Sequence, residues 1–428
     1  MYRIWSYEGT ETQYRFGLGF WQRLETALLE LAYSTLPQPE TDRRIEQTTS
    51  DLINIVQKCK APFRCAAWNF TLKPFGSYAS KLHGRGSDVD LQIDGWFRKD
   101  GASTPSHAMQ MFRRDAQRFI HVIGARLENM RERYKYEKIA HARTPIVKVE
   151  DLRRGVSCDI AFPSGDSVDY PKSELLLVLN HLDNRLHMVL TLVKRWAGNH
   201  HLRNAALGRF NTYTLTSMIV FFFQTLEKPI FPPLNLLVPP PLISAARRYE
   251  DMSSHVAGMA KTASTWRRDN VSNANQEGVM ELFLGFLSWL DDLVTDSLGS
   301  GCSSEEKRPV RLSTYTATRR MFGGADAEGN RKVMYVDDPF DAEDNSARAL
   351  SMTCFEHAGQ CAAETLELCA ELDVDEWVQR VFMDAKEEPK GDQKPRRARS
   401  KRYGHRRSSR GKKSPVDRVP ANETDSRH

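Results

Sequence analysis

Hydrophobic and polar positions along the chain follow first a helical and then a strand-like period. In FWQRLETALLELA (20–32) and ETDRRIEQTTSDLINIVQKC (40–59), apolar residues recur at spacings of three and four, which predicts two helices. Within 61–165, SDVDLQIDGW alternates apolar and polar positions, and TPIVKVED and VSCDIAF are rich in β-branched residues, so all three predict strands. The segment SHAMQMFRRDAQRFIHVIGARLENMRERY predicts one long helix among them.

The second half of the chain is mainly helical in pattern. Apolar helical segments such as RLHMVLTLVKRWA and MELFLGFLSWLDDLV are interrupted by a proline-rich loop (231–242) and by a turn-rich stretch with one short strand, KVMYV. We therefore predict an α+β fold in four parts. These are N-terminal helices over 1–60 that pack on the helical domain and lead into the sheet, a mixed sheet with helices over 61–171, a helical domain over 172–388, and a disordered basic tail over 389–428.

Composition excludes several classes of protein. Apolar residues make up 40% of the 428 and charged residues 27%, which is typical of a folded globular chain. The longest apolar run, near 218–223, is far shorter than the roughly 20 residues that a membrane helix needs, and the first residues lack the apolar core of a secretory signal. We therefore expect an intracellular protein without membrane contact, in the nucleus or the cytoplasm, with the mitochondrion left open.

Three aspartates stand out because of the pattern around them. Asp88 and Asp90 are one residue apart at the start of a predicted strand, so both side chains point to the same face. Two carboxylates so close together repel each other unless a cation binds them or one takes up a proton. Asp159 lies inside the apolar strand VSCDIAF, where an unpaired charge is costly, and on a neighbouring strand it can complete a three-carboxylate cluster.

A glycine and a serine precede this pair, at Gly76 and Ser77. Glycine lets the backbone approach a phosphate closely, and serine can donate a hydrogen bond to it. Carboxylate oxygens are hard ligands that suit Mg²⁺ or Mn²⁺. Three carboxylates, two such ions and a phosphate-binding turn together predict metal-assisted nucleotidyl transfer from a nucleoside triphosphate. A solvated strand end is the simpler interpretation of the first two aspartates taken alone.

These residues, with others that follow in the same order, resemble the noncanonical poly(A) polymerases and terminal uridylyltransferases of the DNA polymerase β-like nucleotidyltransferase superfamily. The resemblance covers roughly 20–385, and after GS and SDVDL it is carried by LVKRWA (192–197), NTYTL (211–215), FQTLEKPIFPPLNLL (223–237) and VDDPFDAEDNSAR (336–348). GS with SDxDL alone also fits nucleotide-transferring toxins, tRNA CCA-adding enzymes and oligoadenylate synthetases. The resemblance implies a catalytic palm over 61–171, a poly(A)-polymerase-associated helical domain over 172–388, and template-independent addition of nucleotides to RNA 3′ ends.

The resemblance also implies roles for individual residues. Asp88 and Asp90 would hold two Mg²⁺ or Mn²⁺ ions, while Asp159 would bind the catalytic ion and orient the RNA 3′ hydroxyl. The implied nucleotide contacts are, in chain order, Gly76, Ser77, Ser173, Lys194, Thr212, Tyr213, Asp338, Asp341 and Asn345. Two positions depart from the family pattern. Lys172 replaces an asparagine, and Gly198 stands where some members carry a second phosphate-binding lysine, for which Arg195 or a residue elsewhere can substitute.

The base is predicted from the segment that follows DPF. NSARAL resembles the version in adenylating members, and the histidine that some uridylyltransferases carry shortly after DPF is missing, so we predict ATP. Kinetoplastid uridylyltransferases also lack that histidine and use acidic residues, so Asp338 and Asp341 can equally serve UTP. More distant alternatives are a nucleotidyltransferase that acts on a protein or small molecule, and a non-enzymatic binding protein descended from such an enzyme.

The basic tail is the predicted contact to RNA outside the catalytic site. Between Lys390 and Lys413, twelve lysines and arginines stand against one acid, a net charge of +11, which leaves 6 − 11 = −5 for the rest of the chain. The tail predicts a sequence-independent RNA anchor or a nuclear localisation signal. Its candidate RNA contacts are Arg396, Arg397, Arg399, Lys401, Arg402, Arg406 and Arg407. The sequence shows no RNA-specificity module, so we also expect partner proteins that supply specificity.

Overall fold

The computed structural model of the protein describes residues 18–59, 71–94, 105–141, 144–162, 169–238, 249–298, 309–321, 332–341 and 344–383. The chain divides into two units, Met1–Glu387 and Glu388–His428. The second unit contains the predicted basic tail, which lies outside the described residues. Within the described ranges, no helix is both long enough and apolar enough to cross a membrane.

A five-stranded sheet lies in the first half of the chain. Its strands are β1 (Thr71–Phe75), β2 (Val89–Asp94), β3 (Tyr134–Ile139), β4 (Ile146–Asp151) and β5 (Val156–Ala161). They lie in the order β1-β2-β5-β4-β3, with β2 and β5 parallel and the other neighbours antiparallel. A second sheet, in the order β7-β6-β8, follows near the end of the described chain. Its strands are β6 (Val310–Ser313), β7 (Thr318–Met321) and β8 (Met334–Val336).

Helices surround the first sheet and form the bulk of the second half. They are α1 (Leu18–Thr35), α2 (Pro39–Gln57), the single turn α3 (Gly76–Ala79), α4 (Pro105–Glu128), α5 (Asp169–Leu182), α6 (Arg185–Asn199), α7 (Thr212–Thr225), α8 (Tyr249–Asp269), α9 (Val279–Leu298), α10 (Met352–Glu367) and α11 (Val374–Phe382). The predicted α+β class is confirmed.

Two hydrophobic cores hold these elements together. One core joins the five-stranded sheet to α2 and α4, with Leu52 and Phe119 fully buried in it. The other joins α1 to the helices from α5 onward and to β6 and β8, with Leu24 and Trp196 fully buried. Each buried leucine of this kind contributes about 1.5–3 kcal/mol of transfer free energy. The two N-terminal helices therefore divide between the cores, whereas the sequence predicts that both pack on the helical domain.

The structure also differs from the predicted elements at three places. The predicted helix over 106–134 ends at Glu128, and 134–139 forms β3, in which Tyr134 is buried and pairs with Asp151 of β4. Helix α8 was not predicted, because among its described side chains only a few apolar ones, such as Met259 and Ala263, enter the core. The hairpin β6–β7 was not predicted either, whereas the predicted strand KVMYV contains β8.

Candidate active site

Strand pairing brings two of the predicted aspartates side by side. Asp90 of β2 and Asp159 of β5 are direct partners in the parallel register, and Asp88 immediately precedes β2. Val89 and Leu91 are fully buried on the opposite face of β2, so alternation turns the aspartates away from the core. The register therefore places three carboxylates at one end of the sheet, as the sequence predicts.

Gly76 lies against this pair and is constrained in two ways. Its φ of +69° is a left-handed conformation that favours glycine, and a Cβ at this position would lie 2.4 Å from Asp90 Oδ2. Its backbone N–H donates to Ser173 Oγ at 2.7 Å, which ties the turn to α5. The sequence predicts glycine here for close approach to a phosphate. The structure adds a close approach to a carboxylate.

Lys148 compensates part of the negative charge at the sheet end. Its Nζ lies 2.9 Å from Asp159 Oδ2 and 3.3 Å from Oδ1, across the β4–β5 register. Hydrogen bonding to Asp159 raises the pKa of the Lys148 ammonium, against the effect of burial. Beneath the site, burial raises the pKa of the Cys158 thiol to about 12, and the neighbouring Asp159 carboxylate adds to the rise.

The three carboxylates are not arranged as the ligands of a metal ion in this structure. As the described side chains are oriented, no three acidic, histidine or cysteine groups stand close enough together to hold a metal ion. The Asp159 carboxylate faces Lys148 instead, so an ammonium supplies the positive charge that the acidic cluster needs. The hard oxygen donors, their strand register and the space that Gly76 leaves beside Asp90 fit a divalent cation, provided that Asp159 exchanges its lysine contact for the ion.

Two cations line the same cavity as the aspartates. Lys194 is half-buried on α6, two residues before Trp196, whose indole N–H donates to Thr365 Oγ1 at 3.0 Å and fixes the helix. Arg203 donates to the Lys194 carbonyl oxygen at 3.3 Å and to Thr212 Oγ1 at 3.5 Å. Burial and, second, the charge of Arg203 lower the pKa of Lys194 to about 8. In the described part of the chain neither cation forms an ion pair, so this wall of the cavity suits an anion.

Arg203 also supplies a cation near Gly198, the position at which some family members carry a second lysine. A Cβ built on Gly198 would have Arg203 Nη1 as its neighbour at 4.0 Å. The guanidinium therefore lies on the side of α6 where some members of the family carry a second lysine. The sequence leaves open whether Arg195 or a residue elsewhere substitutes for that lysine. In the structure Arg195 and Arg203 both line the cavity, and Arg203 lies beside Lys194.

The start of α7 forms the next part of the wall. Asn211 caps this helix by accepting from the Thr214 N–H at 2.8 Å, and its amide donates to the Ser346 carbonyl at 2.8 Å. The cap leaves Thr212 and Tyr213 in the first turn, where the helix dipole favours negative charge. Both residues line the cavity.

One cavity of about 910 Å³ collects these groups. The predicted site residues that line it are Gly76, Ser77, Asp88, Asp90, Asp159, Lys194, Thr212 and Tyr213. The sequence did not single out Lys148, Arg203 or Arg85, which also lines the cavity, because a lysine in a strand or an arginine in a loop carries no signal until register and packing are known. For Arg203, the one available signal in the sequence was that position 198 is glycine and not lysine, which calls for a cation from another position.

The remaining predicted contacts do not line the cavity. Ser173 is buried and holds Gly76, and Asp338 is buried against Tyr213, whose hydroxyl donates to Asp338 Oδ2 at 3.3 Å. The Asn345 side chain forms hydrogen bonds with backbone groups. Its Oδ1 accepts from the N–H groups of Val336 and Ala347, and its Nδ2 donates to the Met334 carbonyl. Asp341 does not line the cavity.

The mixed sheet with adjacent aspartates, and the helices that follow it, are similar to those of known poly(A) RNA polymerases, and the family match covers the sheet. Residues 24–176 match the central palm domain of mitochondrial-like poly(A) RNA polymerases, from within α1 to within α5. Protein HESO1 of Arabidopsis thaliana is 26% identical over 286 residues, which cover 66% of this chain and 52% of HESO1. The mitochondrial poly(A) RNA polymerase of Mus musculus is 28% identical over 210 residues, covering 46% of this chain and 34% of that enzyme.

A solved structure agrees on the fold. A crystal structure of mtPAP in complex with UTP superimposes with a TM-score of 0.61 at 20% identity, over 86% of this chain and 74% of that one. The chain is thus similar in sequence to HESO1 and to a poly(A) RNA polymerase, and similar in fold to mtPAP. It spans about half the length of HESO1 and about a third of the mitochondrial polymerase.

Proposed function

We propose that the protein is a template-independent RNA 3′ nucleotidyltransferase that uses a nucleoside triphosphate and two divalent ions. In this reaction the RNA 3′ oxygen forms a bond to the α-phosphorus, the bond between the α-phosphorus and the bridging oxygen breaks, and pyrophosphate leaves. The observation that carries the proposal is the pairing of Asp90 with Asp159 in one cavity with two cations that have no ion-pair partner in the described residues.

The charges of the cavity divide into an acidic and a basic side. Asp88, Asp90 and Asp159 would hold Mg²⁺ or Mn²⁺ on the acidic side. When bound, two such ions activate the attacking hydroxyl and neutralise charge on the triphosphate. Metal binding would displace Lys148 from Asp159, because the Lys148 ammonium and a metal ion need the same carboxylate oxygens.

The basic side would bind the triphosphate. Lys194 and Arg203 offer an ammonium and a guanidinium, and guanidinium groups pair well with phosphate oxygens. The hydroxyls of Ser77 and Thr212 add neutral donors, and the start of α7 adds its dipole. Tyr213 follows Thr212 on the same wall, so a base bound beyond the sugar can stack on its ring.

ATP is the nucleotide that we propose, from the resemblance of NSARAL to adenylating members. The base contacts implied by the resemblance need revision, because Asn345 is held by backbone groups and Asp338 is buried. UTP is the second candidate, because the mtPAP crystal structure contains it. RNA as the acceptor, an intracellular location and partner proteins remain proposals from the sequence.

A nucleotide screen tests the proposal. The purified full chain is incubated with Mg²⁺, a labelled RNA oligonucleotide and each nucleoside triphosphate alone, and the products are separated by length. We expect extension with ATP at the highest rate. A clear preference for UTP would overturn the choice of base and leave the reaction class intact.

Two other outcomes would overturn the reaction class. Transfer of label to a protein, with no RNA extended, would favour a protein-directed nucleotidyltransferase. No transfer from any triphosphate, with Mg²⁺ or Mn²⁺, would favour a non-enzymatic binding protein.

A further inference from the structure

Lys172 connects three segments that lie far apart in the sequence. It sits in the first turn of α5, and its Nζ lies 2.5 Å from Asp338 Oδ2, in the loop after β8. The same ammonium lies 5.1 Å from the centroid of the Tyr213 ring, in the first turn of α7. Lys172 stands where the family pattern described above has an asparagine.

The Asp338 carboxylate is fully engaged by its surroundings. Its Oδ1 accepts from the Phe340 backbone N–H at 2.9 Å, and its Oδ2 accepts from Lys172 and from the Tyr213 hydroxyl. Only 1% of the residue is exposed, so the carboxylate does not reach a base in the cavity. Burial raises the pKa of Asp338, and the Lys172 ammonium opposes that rise. The Asp338 carboxylate therefore has a structural role as a scaffold for its neighbours, and it needs the Lys172 ammonium to balance its buried charge.

Two contacts from this scaffold fix the Tyr213 ring. The hydroxyl is held by Asp338, and the ring lies within the distance at which a cation is attracted by an aromatic face. The next residue of α5, Ser173, accepts from the backbone N–H of Gly76 beside Asp90. Two consecutive residues thus link the tyrosine wall and the carboxylate side of the cavity.

We propose that Lys172 is a positioning residue for the nucleoside, which sets the Tyr213 ring in place for stacking on the base. The inference rests on the proposed function, since it takes a nucleoside triphosphate as the ligand of the cavity. Lys172 acts on the base end of the ligand, whereas Lys194 and Arg203 act on the phosphates.

The test compares a ligand that has a base with one that has none. Calorimetry with Mg²⁺ and without RNA measures ATP and inorganic tripolyphosphate binding to the wild-type chain, Lys172→Met, Lys172→Met/Asp338→Asn and Lys172→Arg. Lys135→Met, which removes an exposed lysine of β3, is the matched control. Thermal unfolding is measured in parallel.

The double variant decides between a positioning and a purely structural role. It removes both buried charges, so we expect it to regain the stability lost in Lys172→Met. If Lys172 positions the ring, the double variant binds ATP about tenfold more weakly and tripolyphosphate unchanged. Lys172→Arg keeps the charge and should lie between the double variant and the wild type in ATP affinity.

Wild-type ATP affinity in the double variant would overturn the inference, as would an equal loss for tripolyphosphate. RNA extension by the wild type is assayed separately. A wild-type chain that binds ATP but extends no RNA contradicts the proposed function, while the binding comparison still decides the role of Lys172.

Discussion

Substitution of Gly76 by alanine tests the geometry of the carboxylate pair most sharply. The new Cβ would lie 2.4 Å from Asp90 Oδ2, and an ordinary contact begins at 3.4 Å. The carboxylate or the turn must therefore move by about 1 Å, and a misplacement of this size costs about 100-fold in rate. The φ of +69° adds about 1–2 kcal/mol of backbone strain to the folded state.

Two control variants separate these effects. Gly155 has a φ of +62° and open space around a built Cβ, so Gly155→Ala carries the backbone strain alone. Gly86, in the loop before Asp88, lines the cavity but has open space and no positive φ, so Gly86→Ala adds a methyl to the cavity wall without a clash or backbone strain. Single-turnover RNA extension at saturating nucleotide gives the rate, and thermal unfolding gives the stability.

We expect Gly76→Ala and Gly155→Ala to lose similar stability, and only Gly76→Ala to lose about 100-fold in rate. A Gly76→Ala enzyme with the wild-type rate would show that Asp90 does not need its present position. An equal loss of rate in Gly155→Ala would point to strain in the sheet as the cause.

Three further predictions concern the basic parts of the chain. Because the pKa of Lys194 is lowered to about 8, the ammonium loses its proton as pH rises through that value; the KM for nucleotide should therefore rise above about pH 8, and Lys194→Met should abolish this pH dependence. Arg203→Ala should raise the KM about tenfold or more, and adding Gly198→Lys should recover part of the loss, whereas no recovery would argue against a shared phosphate site. Deletion of 389–428 should weaken RNA binding at low salt, measured by filter binding, and spare single-nucleotide addition; unchanged RNA affinity would contradict the anchor.

The sequence predicts the acidic side of the site well because local alternation determines it. In VDLQID and VSCDIA, buried apolar residues alternate with the aspartates, so strand formation alone fixes which face Asp90 and Asp159 share. That the two strands are neighbours was a hypothesis, and their parallel pairing is visible only in the fold. Lys148 became visible only with the register of β4, because its own strand pattern is that of any half-buried strand.

The base side of the site could not be predicted because it depends on tertiary contacts. Asp338 and Asn345 follow a motif that implies base contacts, yet their side chains bond to Lys172, Tyr213 and backbone groups. Such bonds join α5, α7 and the loop after β8, and no period in the sequence reports on them. Strand β3 was missed for a related reason, since YKYEKI directly follows a long helical pattern and takes strand form through pairing with β4.

The central claim is that the paired carboxylates of β2 and β5 carry the chemistry. It is tested most directly by the single-turnover extension rate of Asp159→Asn, with Glu150→Gln, a half-exposed charge of the neighbouring strand β4, as the control. With RNA, Mg²⁺ and saturating nucleotide, we predict a loss of about 10³-fold or more for Asp159→Asn and a wild-type rate for the control. A rate for Asp159→Asn within a few-fold of the wild type would contradict the claim.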